Sequence, residues 1–262
     1  MAVAAIRQPV VSFSAIVAFC ILLAAAPVTA STPVPSFSAT YDVRYGILSG
    51  TMTLQLSPIE TGYLYETSLR PNGVAAWLRR GAISERTTLV DMDGRILPLD
   101  YYSRDTIARP SRETTYAFDP GNGRVTGQYK THAIDAGMPD NGQNRISVHI
   151  AIMSSLLAAT DIPDYSVFDR GRWRHYRFEV IRDQDVEISA GKFETVEIRY
   201  SSADSAKSWS MHFAPALNYL PVVLDFDERG KLKSRAQLTE YRLDPAEHVE
   251  RQPASEPAPG RF

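Results

Sequence analysis

The sequence predicts an all-β fold: an antiparallel open or incompletely closed barrel with one main helix at its interior or mouth. Three observations carry that expectation. Phe37, Ala39, Tyr41, Val43, Tyr45 and Ile47 alternate strictly with Ser38, Thr40, Asp42 and Arg44, which is the period of a half-buried strand. The alternation returns at short intervals, each run bounded by Gly, Asn or Asp where a hairpin needs positive φ. One substantial stretch, residues 144–160, has helical spacing instead, with Ile146, His149, Ile150, Met153, Leu156 and Leu157 on one face. Short strands on tight turns build a meander, hence a barrel or sandwich.

Taken in order, residues 1–30 read as an export signal. Arg7 is their only charge, an apolar run extends from Val10 to Ala26, and Pro27, Val28, Thr29 and Ala30 follow. Val28 and Ala30 suit signal peptidase, so cleavage is expected after Ala30. The run nearly reaches the roughly 18–20 residues of a spanning helix, but Pro27 and the small residues behind it argue against a retained anchor. Cys20 follows Phe19 inside the run, which argues against lipidation. No integral membrane span is expected after cleavage.

Residues 31–243 read as a single antiparallel β domain. After the first strand, Leu48, Ser49 and Gly50 are expected as a turn before Met52, Leu54 and Leu56. Glu60, Thr61 and Gly62 lead into residues 63–69. Turns at 91–94, 119–123 and 227–230 join 83–90 to 96–103, 114–118 to 125–129, and 222–226 to 232–241. A strand at 173–181 is expected to end in a turn at 182–185. In the helix, Asp140 or Asn141 is available as a cap and Ile162 with Pro163 as a stop. Its second face, Ser147, Ala151, Ser154, Ser155, Ala158 and Ala159, is small rather than charged, so both sides are expected to be covered. A shorter helical turn is expected at 73–80. Residues 244–262, rich in Pro, Ala and Glu, read as a disordered tail.

Composition narrows the chemistry. Cys20 is the only cysteine and leaves with the signal, so the mature chain has no disulfide, thiol nucleophile or cysteine ligand. Loss of Arg7 moves the net charge from −2 to about −3, which gives no case for a nucleic-acid partner. The five histidines, 132, 149, 175, 212 and 248, lack the spacing of a metal site, and His149 reads as a core histidine. Gly121, Asn122, Gly123 and Gly127 join two strands and have the wrong spacing for a nucleotide loop. Asp183 and Asp185 flank a turn, where Asp serves the backbone. No catalytic set, cofactor or metal is expected, and the chain reads as non-enzymatic.

Two features invite a binding function. Aromatic residues crowd the inward positions, and Tyr41, Tyr45, Met153, Trp209, Met211 and Phe213 are candidates to line an apolar concavity. In the run from Arg170 to Arg177, alternation places Arg170, Arg172 and Arg174 on one side, a candidate site for an anionic group.

Trp209, Pro215, Tyr219, Leu220, Pro221 and Val222 form a Trp-bearing strand, a Pro turn and a Leu-Pro-Val opening. That pattern resembles the closing signature of a family of exported bacterial proteins known only as a domain of unknown function. Phe37, Ala39 and Tyr41 with Gly50, Leu97 with Pro98, and Ala190, Gly191, Lys192 and Phe193 before Val196 match in order, so the resemblance spans Phe37 to Tyr241. Residues 145–157 depart most, since the family pattern is more acidic at their start. The resemblance implies an envelope location, here the periplasm of a Gram-negative bacterium, and a curved sheet around a helix. That shape is similar to the half-barrels of periplasmic lipoprotein carriers. It implies no activity. The expected function is to bind or carry an apolar or amphiphilic envelope molecule such as a lipid. The alternatives are an assembly protein that contacts another envelope protein without a small ligand, and, ranked last, an enzyme acting on glycan or lipid.

Overall fold

The alternation that opens the mature sequence becomes β1 (Phe37–Tyr45), in which Phe37, Ala39, Tyr41 and Val43 turn inward. The computed structural model describes residues 32–78, 80–203 and 205–244. The export signal and the tail beyond Asp244 lie outside the described residues. β2 (Leu48–Ile59), β3 (Gly62–Pro71) and β4 (Ile83–Met92) follow as antiparallel neighbours, with helix α1 (Gly73–Leu78) between β3 and β4. β5 (Arg95–Pro98) and β6 (Asp100–Asp105) both pair with β4. β7 (Arg112–Asp119), β8 (Arg124–Tyr129) and β9 (His132–Gly137) extend the meander to one edge.

From there the chain leaves the sheet. β10 (Gly142–Asn144), helix α2 (Ser147–Leu157), β11 (Ser166–Asp169) and β12 (Arg172–His175) form an insert, in which the three strands make a small sheet of their own. The main sheet resumes at its opposite edge with β13 (Arg177–Ile188), β14 (Gly191–Ser201), β15 (Lys207–Ala214), β16 (Leu220–Glu228) and β17 (Lys231–Leu243). β17 then pairs with β1, Phe37 opposite Leu243, so the first and last strands lie together in mid-sheet. The order runs β13-β14-β15-β16-β17-β1-β2-β3-β4-β6-β7-β8-β9, with no ladder joining β13 to β9. The sheet is antiparallel, curved around α2 and not closed into a barrel.

Most hairpins fall where turn chemistry placed them, including Asp93-Gly94 and Arg229-Gly230, all four at positive φ. Gly127, in mid-strand, adopts φ +145, and a Cβ there would stand 2.1 Å from the Thr115 carbonyl oxygen. The glycine is therefore required for β7 and β8 to approach, as a hairpin reading of this segment expects.

Four expectations about strands and turns are corrected. The strand expected at 96–103 is two, β5 and β6, which part at Leu99. Leu48, Ser49 and Gly50 already belong to β2, and the turn is Gly46-Ile47, with Gly46 at φ +58. Ile47 consequently stands fully exposed, at 102%. The strand expected at 173–181 is two: Trp173 lies in β12 and residues 177–181 in β13, in different sheets, separated at the buried Tyr176. Nor does that strand stop at 182–185. Asp183 takes φ +58 within a bulge, and β13 continues to Ile188; a bulge and a turn draw on the same residue types.

α2 is buried on every side: Val148, Ile150, Ala151, Ile152, Met153 and Leu156 sit in the core together with Ser147 and Ser154. Complete burial of a side chain such as Ile150 contributes about 1.5–3 kcal/mol. Neither Asp140 nor Asn141 caps it. Asn144 Oδ1 accepts from the backbone N–H groups of Ile146 at 3.0 Å and Ser147 at 2.8 Å.

Candidate functional site

The insert enters the core through a buried polar clamp. Gln143, Asn144, Ser147 and Thr87 are all fully buried, and each is satisfied, as burial demands. Gln143 Nε2 donates to the Ile96 carbonyl at 2.8 Å, and Asn144 Nδ2 donates to Thr87 Oγ1 at 2.8 Å. Thr87 Oγ1 donates to the Asp100 carbonyl at 2.5 Å, and Ser147 Oγ to Gln143 Oε1 at 2.7 Å. The start of α2 is thereby fastened to β4, β5 and the first residue of β6.

Between Asn144 and Ile146 the clamp holds Arg145, the only Lys, Arg, Asp or Glu from Asn141 to Thr160. A cation at a helix N-terminus works against the helix dipole. What compensates it is Glu85 of β4, 3.1 Å from Arg145 Nε. The Tyr101 hydroxyl donates to the same carboxylate oxygen. Glu85 is 8% exposed in its side chain, but Arg145 is 49% exposed. The guanidinium thus stands at the wet end of an otherwise buried arrangement.

Its field reaches both arms of the sheet. Glu85 foremost, then Tyr101, Asp169 and Tyr200, raise the Arg145 pKa, which burial alone would lower. Tyr101 lies on β6 and Tyr200 on β14, in opposite halves of the strand order. Burial raises both phenols above their ordinary range. Tyr116, stacked on Tyr101 at 5.7 Å, is raised to about 12, chiefly by burial. Arg145 therefore lies between residues of the two arms.

Largely buried aromatic clusters pack on each arm. On one, Tyr101 and Tyr116 continue into Phe118, Phe168 and Trp173, with Phe168 and Trp173 rings 4.8 Å apart. On the other, Tyr200 stacks on Trp209 at 5.5 Å and on Phe178 at 5.1 Å. The small sheet bridges the gap: Trp173 Nε1 donates to the Gly137 carbonyl at 2.6 Å, while Tyr165 meets Phe178 edge-on at 5.4 Å.

Two polar atoms beside this centre lack hydrogen-bond partners among the described residues, the Tyr65 hydroxyl and His149 Nδ1. Tyr65 is wholly buried, and its ring meets His149 at 6.4 Å. Desolvation, aided by Arg145, lowers the His149 pKa to about 4, so its imidazole is neutral at physiological pH. Orphaned buried donors and acceptors are uncommon in native proteins and call for an explanation.

The six candidates for an apolar lining separate. Tyr41, Met153, Met211 and Phe213 are 0–2% exposed and belong to the packed core around α2, where the Tyr41 hydroxyl also donates to the Pro221 carbonyl at 2.7 Å. Trp209 is partly buried against Tyr200. Tyr45 is 55% exposed at the end of β1 and does not face inward. Of the arginines, Arg172 and Arg174 share one face of β12. Arg170 does not join them: it occupies the β11–β12 turn at φ +53, 3.7 Å from Asp169. That turn still packs on the first aromatic cluster, because the Gly171 N–H donates to the Tyr116 hydroxyl at 3.1 Å. Arg145 itself was not among the candidates. Its signal is a lone charge opening an otherwise uncharged helix.

On the buried carboxylates of the other arm, Arg235 grips both oxygens of Asp225 at 2.8 and 2.6 Å, and Glu197 accepts from Ser210 and Arg199. An open groove of about 570 Å³ beside β7 and β8 is lined by Arg112, Glu113, Gln128 and Lys130 among others. Among the described residues no group of three or more His, Cys, Asp or Glu could hold a metal ion, and no helix is long and apolar enough to cross a membrane.

Residues 36–230 match a family described as a protein of unknown function, DUF3108. No curated protein matches the chain. A solved β-barrel-like protein of another domain of unknown function, DUF1849, from Brucella abortus, superposes with a TM-score of 0.55 at 13% identity. The alignment covers 81% of this chain and 99% of that one, and at this identity the likeness concerns the fold alone. A Pseudomonas aeruginosa MucA/MucB complex aligns over 81% of this chain and 53% of that one, at 15% identity and a TM-score of 0.34.

Proposed function

The chain belongs to the DUF3108 family, whose function is unknown, and we propose that it is a non-enzymatic protein of the bacterial periplasm that binds or carries an amphiphilic envelope molecule. The observation that carries this reading is Arg145, half open to solvent over a buried carboxylate and between the aromatic clusters of the two arms. Guanidinium is the side chain suited to a phosphate or carboxylate head group. The partly exposed rings of Trp173, Phe178 and Trp209 offer apolar surface to the rest of such a molecule. The packed core around Met153 and Phe213 supports a ligand lying over Arg145 rather than one threaded through the interior. Glu85 is committed to Arg145 and Tyr101, which favours binding over acid–base chemistry.

Mass spectrometry of the small molecules released from natively isolated protein tests the reading. An anionic acyl-bearing compound is expected from the wild type and much less of it from Arg145→Lys, which keeps the charge but loses the planar fork. No bound molecule from the wild type, or equal amounts from both proteins, would contradict it.

A further inference from the structure

At the end of the sheet where β1 turns into β2, the chain exposes apolar side chains that nothing in the fold requires there. Ile47 is 102% exposed, Trp77 76%, Val74 73%, Tyr45 55% and Leu48 40%. They belong to one rim, because α1 is tied to the β1–β2 hairpin: the Asn72 N–H donates to the Ser49 carbonyl at 2.9 Å and Asn72 Nδ2 to Thr51 Oγ1 at 2.8 Å. α1 also has the reverse of an ordinary surface helix. Ala75 is 5% exposed, while the large Val74 and Trp77 face solvent. Among its described side chains, burial has gone to the small Ala75 and exposure to the large Val74 and Trp77.

We infer that this rim docks on an anionic lipid bilayer. The charge around the apolar residues fits that occupant. Arg44, Arg70 and Arg80 are exposed beside them, while in the neighbouring β16–β17 turn Arg229 and Lys231 are balanced by Asp227 and Glu228. Asp42, at 43% exposure, is engaged by Arg44 at 3.5 Å. Trp is the side chain that best occupies the boundary between head groups and acyl chains. Arginine keeps its head in the phosphate layer while its stem lies against apolar surface, and basic residues near a membrane surface are drawn to anionic lipid. An exposed apolar cluster ringed by basic side chains is thus suited to inserting shallowly where a purely charged surface would only hover.

The test uses the full chain as exported by its producing cell, with Trp173→Phe and Trp209→Phe leaving Trp77 as the reporter. It is mixed with vesicles carrying brominated acyl chains, made of phosphatidylcholine alone or with phosphatidylglycerol. The expected result is a blue shift and quenching of Trp77 by the phosphatidylglycerol vesicles, weakening as salt shortens the Debye length. Ile47→Asp with Val74→Asp should reduce vesicle partitioning at least about tenfold, with an unchanged melting temperature showing that the fold is intact. Trp77 emission indifferent to the vesicles overturns the inference. So does partitioning unchanged by the double substitution, or vesicle binding without quenching, since either assigns the contact to another surface.

Discussion

The two α-helices among the described residues are both apolar, and they do opposite things with their side chains. α2 (Ser147–Leu157) lies inside the curved sheet with Ile150 and Ile152 wholly buried. α1 (Gly73–Leu78) lies against the rim and leaves Trp77 and Val74 in solvent. The difference is not one of hydrophobicity. α2 enters through a polar clamp that aligns it with three strands, whereas α1 is held by Asn72 at one end and presents its bulk outward. Apolar content thus says that a helix needs a covering, and the anchoring contacts at its ends decide whether the chain itself provides it.

The comparison can be sharpened by deletion on each side of it. Phe213→Ala, in the wall that packs around α2, should cost about 3–5 kcal/mol of unfolding free energy in urea titration. A loss below 1 kcal/mol would mean that the interior collapses around the gap and is not tightly packed. Arg145→Met should cost about 2–3 kcal/mol, at or below the low end for a broken buried pair because Arg145 is half exposed and partly screened. Adding Glu85→Gln should recover most of that loss, since the expense comes from the stranded carboxylate. Asn144→Ala should cost about 1–3 kcal/mol by removing the cap and orphaning the Thr87 interaction. Trp77→Ala, by contrast, should change stability by less than about 0.5 kcal/mol. A larger loss would place Trp77 in a packing role and remove the contrast between the helices.

A pH series addresses the same interior. The His149 pKa is lowered to about 4 in the fold against about 6.5 in the unfolded chain. Between those values the unfolded chain binds the additional proton, so stability should be complete above about pH 6.5 and fall as pH drops toward 4. His149→Leu should flatten that part of the profile. A wild-type profile equally flat there would show that His149 is not desolvated.

Much of this architecture was legible because period 2 and turn chemistry are local signals. Phe37 to Val43, the Asp93-Gly94 and Arg229-Gly230 hairpins and the covering of α2 on both sides could all be read from side chains alone. The bulge at Asp183 was not, because an Asp at positive φ looks the same inside a bulge as in a turn. The division at Tyr176 also escaped, since the alternation from Trp173 to Ile181 runs unbroken through the change of sheet. The candidate site shows the same limit. Aromatic positions such as Trp209 could be read as inward, but Arg145 gains its meaning from Glu85, 60 positions earlier, and from Tyr200, 55 positions later. No spacing rule connects residues that only the curvature of the sheet brings together. Tyr45 and Ile47 failed for a simpler reason: the strand ended sooner than its pattern.

The central claim, that Arg145 receives the anionic head of an amphiphile, is most directly tested with dihexanoyl phosphatidylglycerol kept below its micelle concentration. Trp209, stacked on Tyr200, is the reporter, with Trp77→Phe and Trp173→Phe in the background so that it alone emits. The account expects a saturable change in Trp209 emission and a rise in melting temperature. It also expects at least about tenfold weaker binding for Arg145→Lys and for the zwitterionic phosphatidylcholine analogue. A flat titration, or equal affinity for both lipids and both proteins, would contradict it.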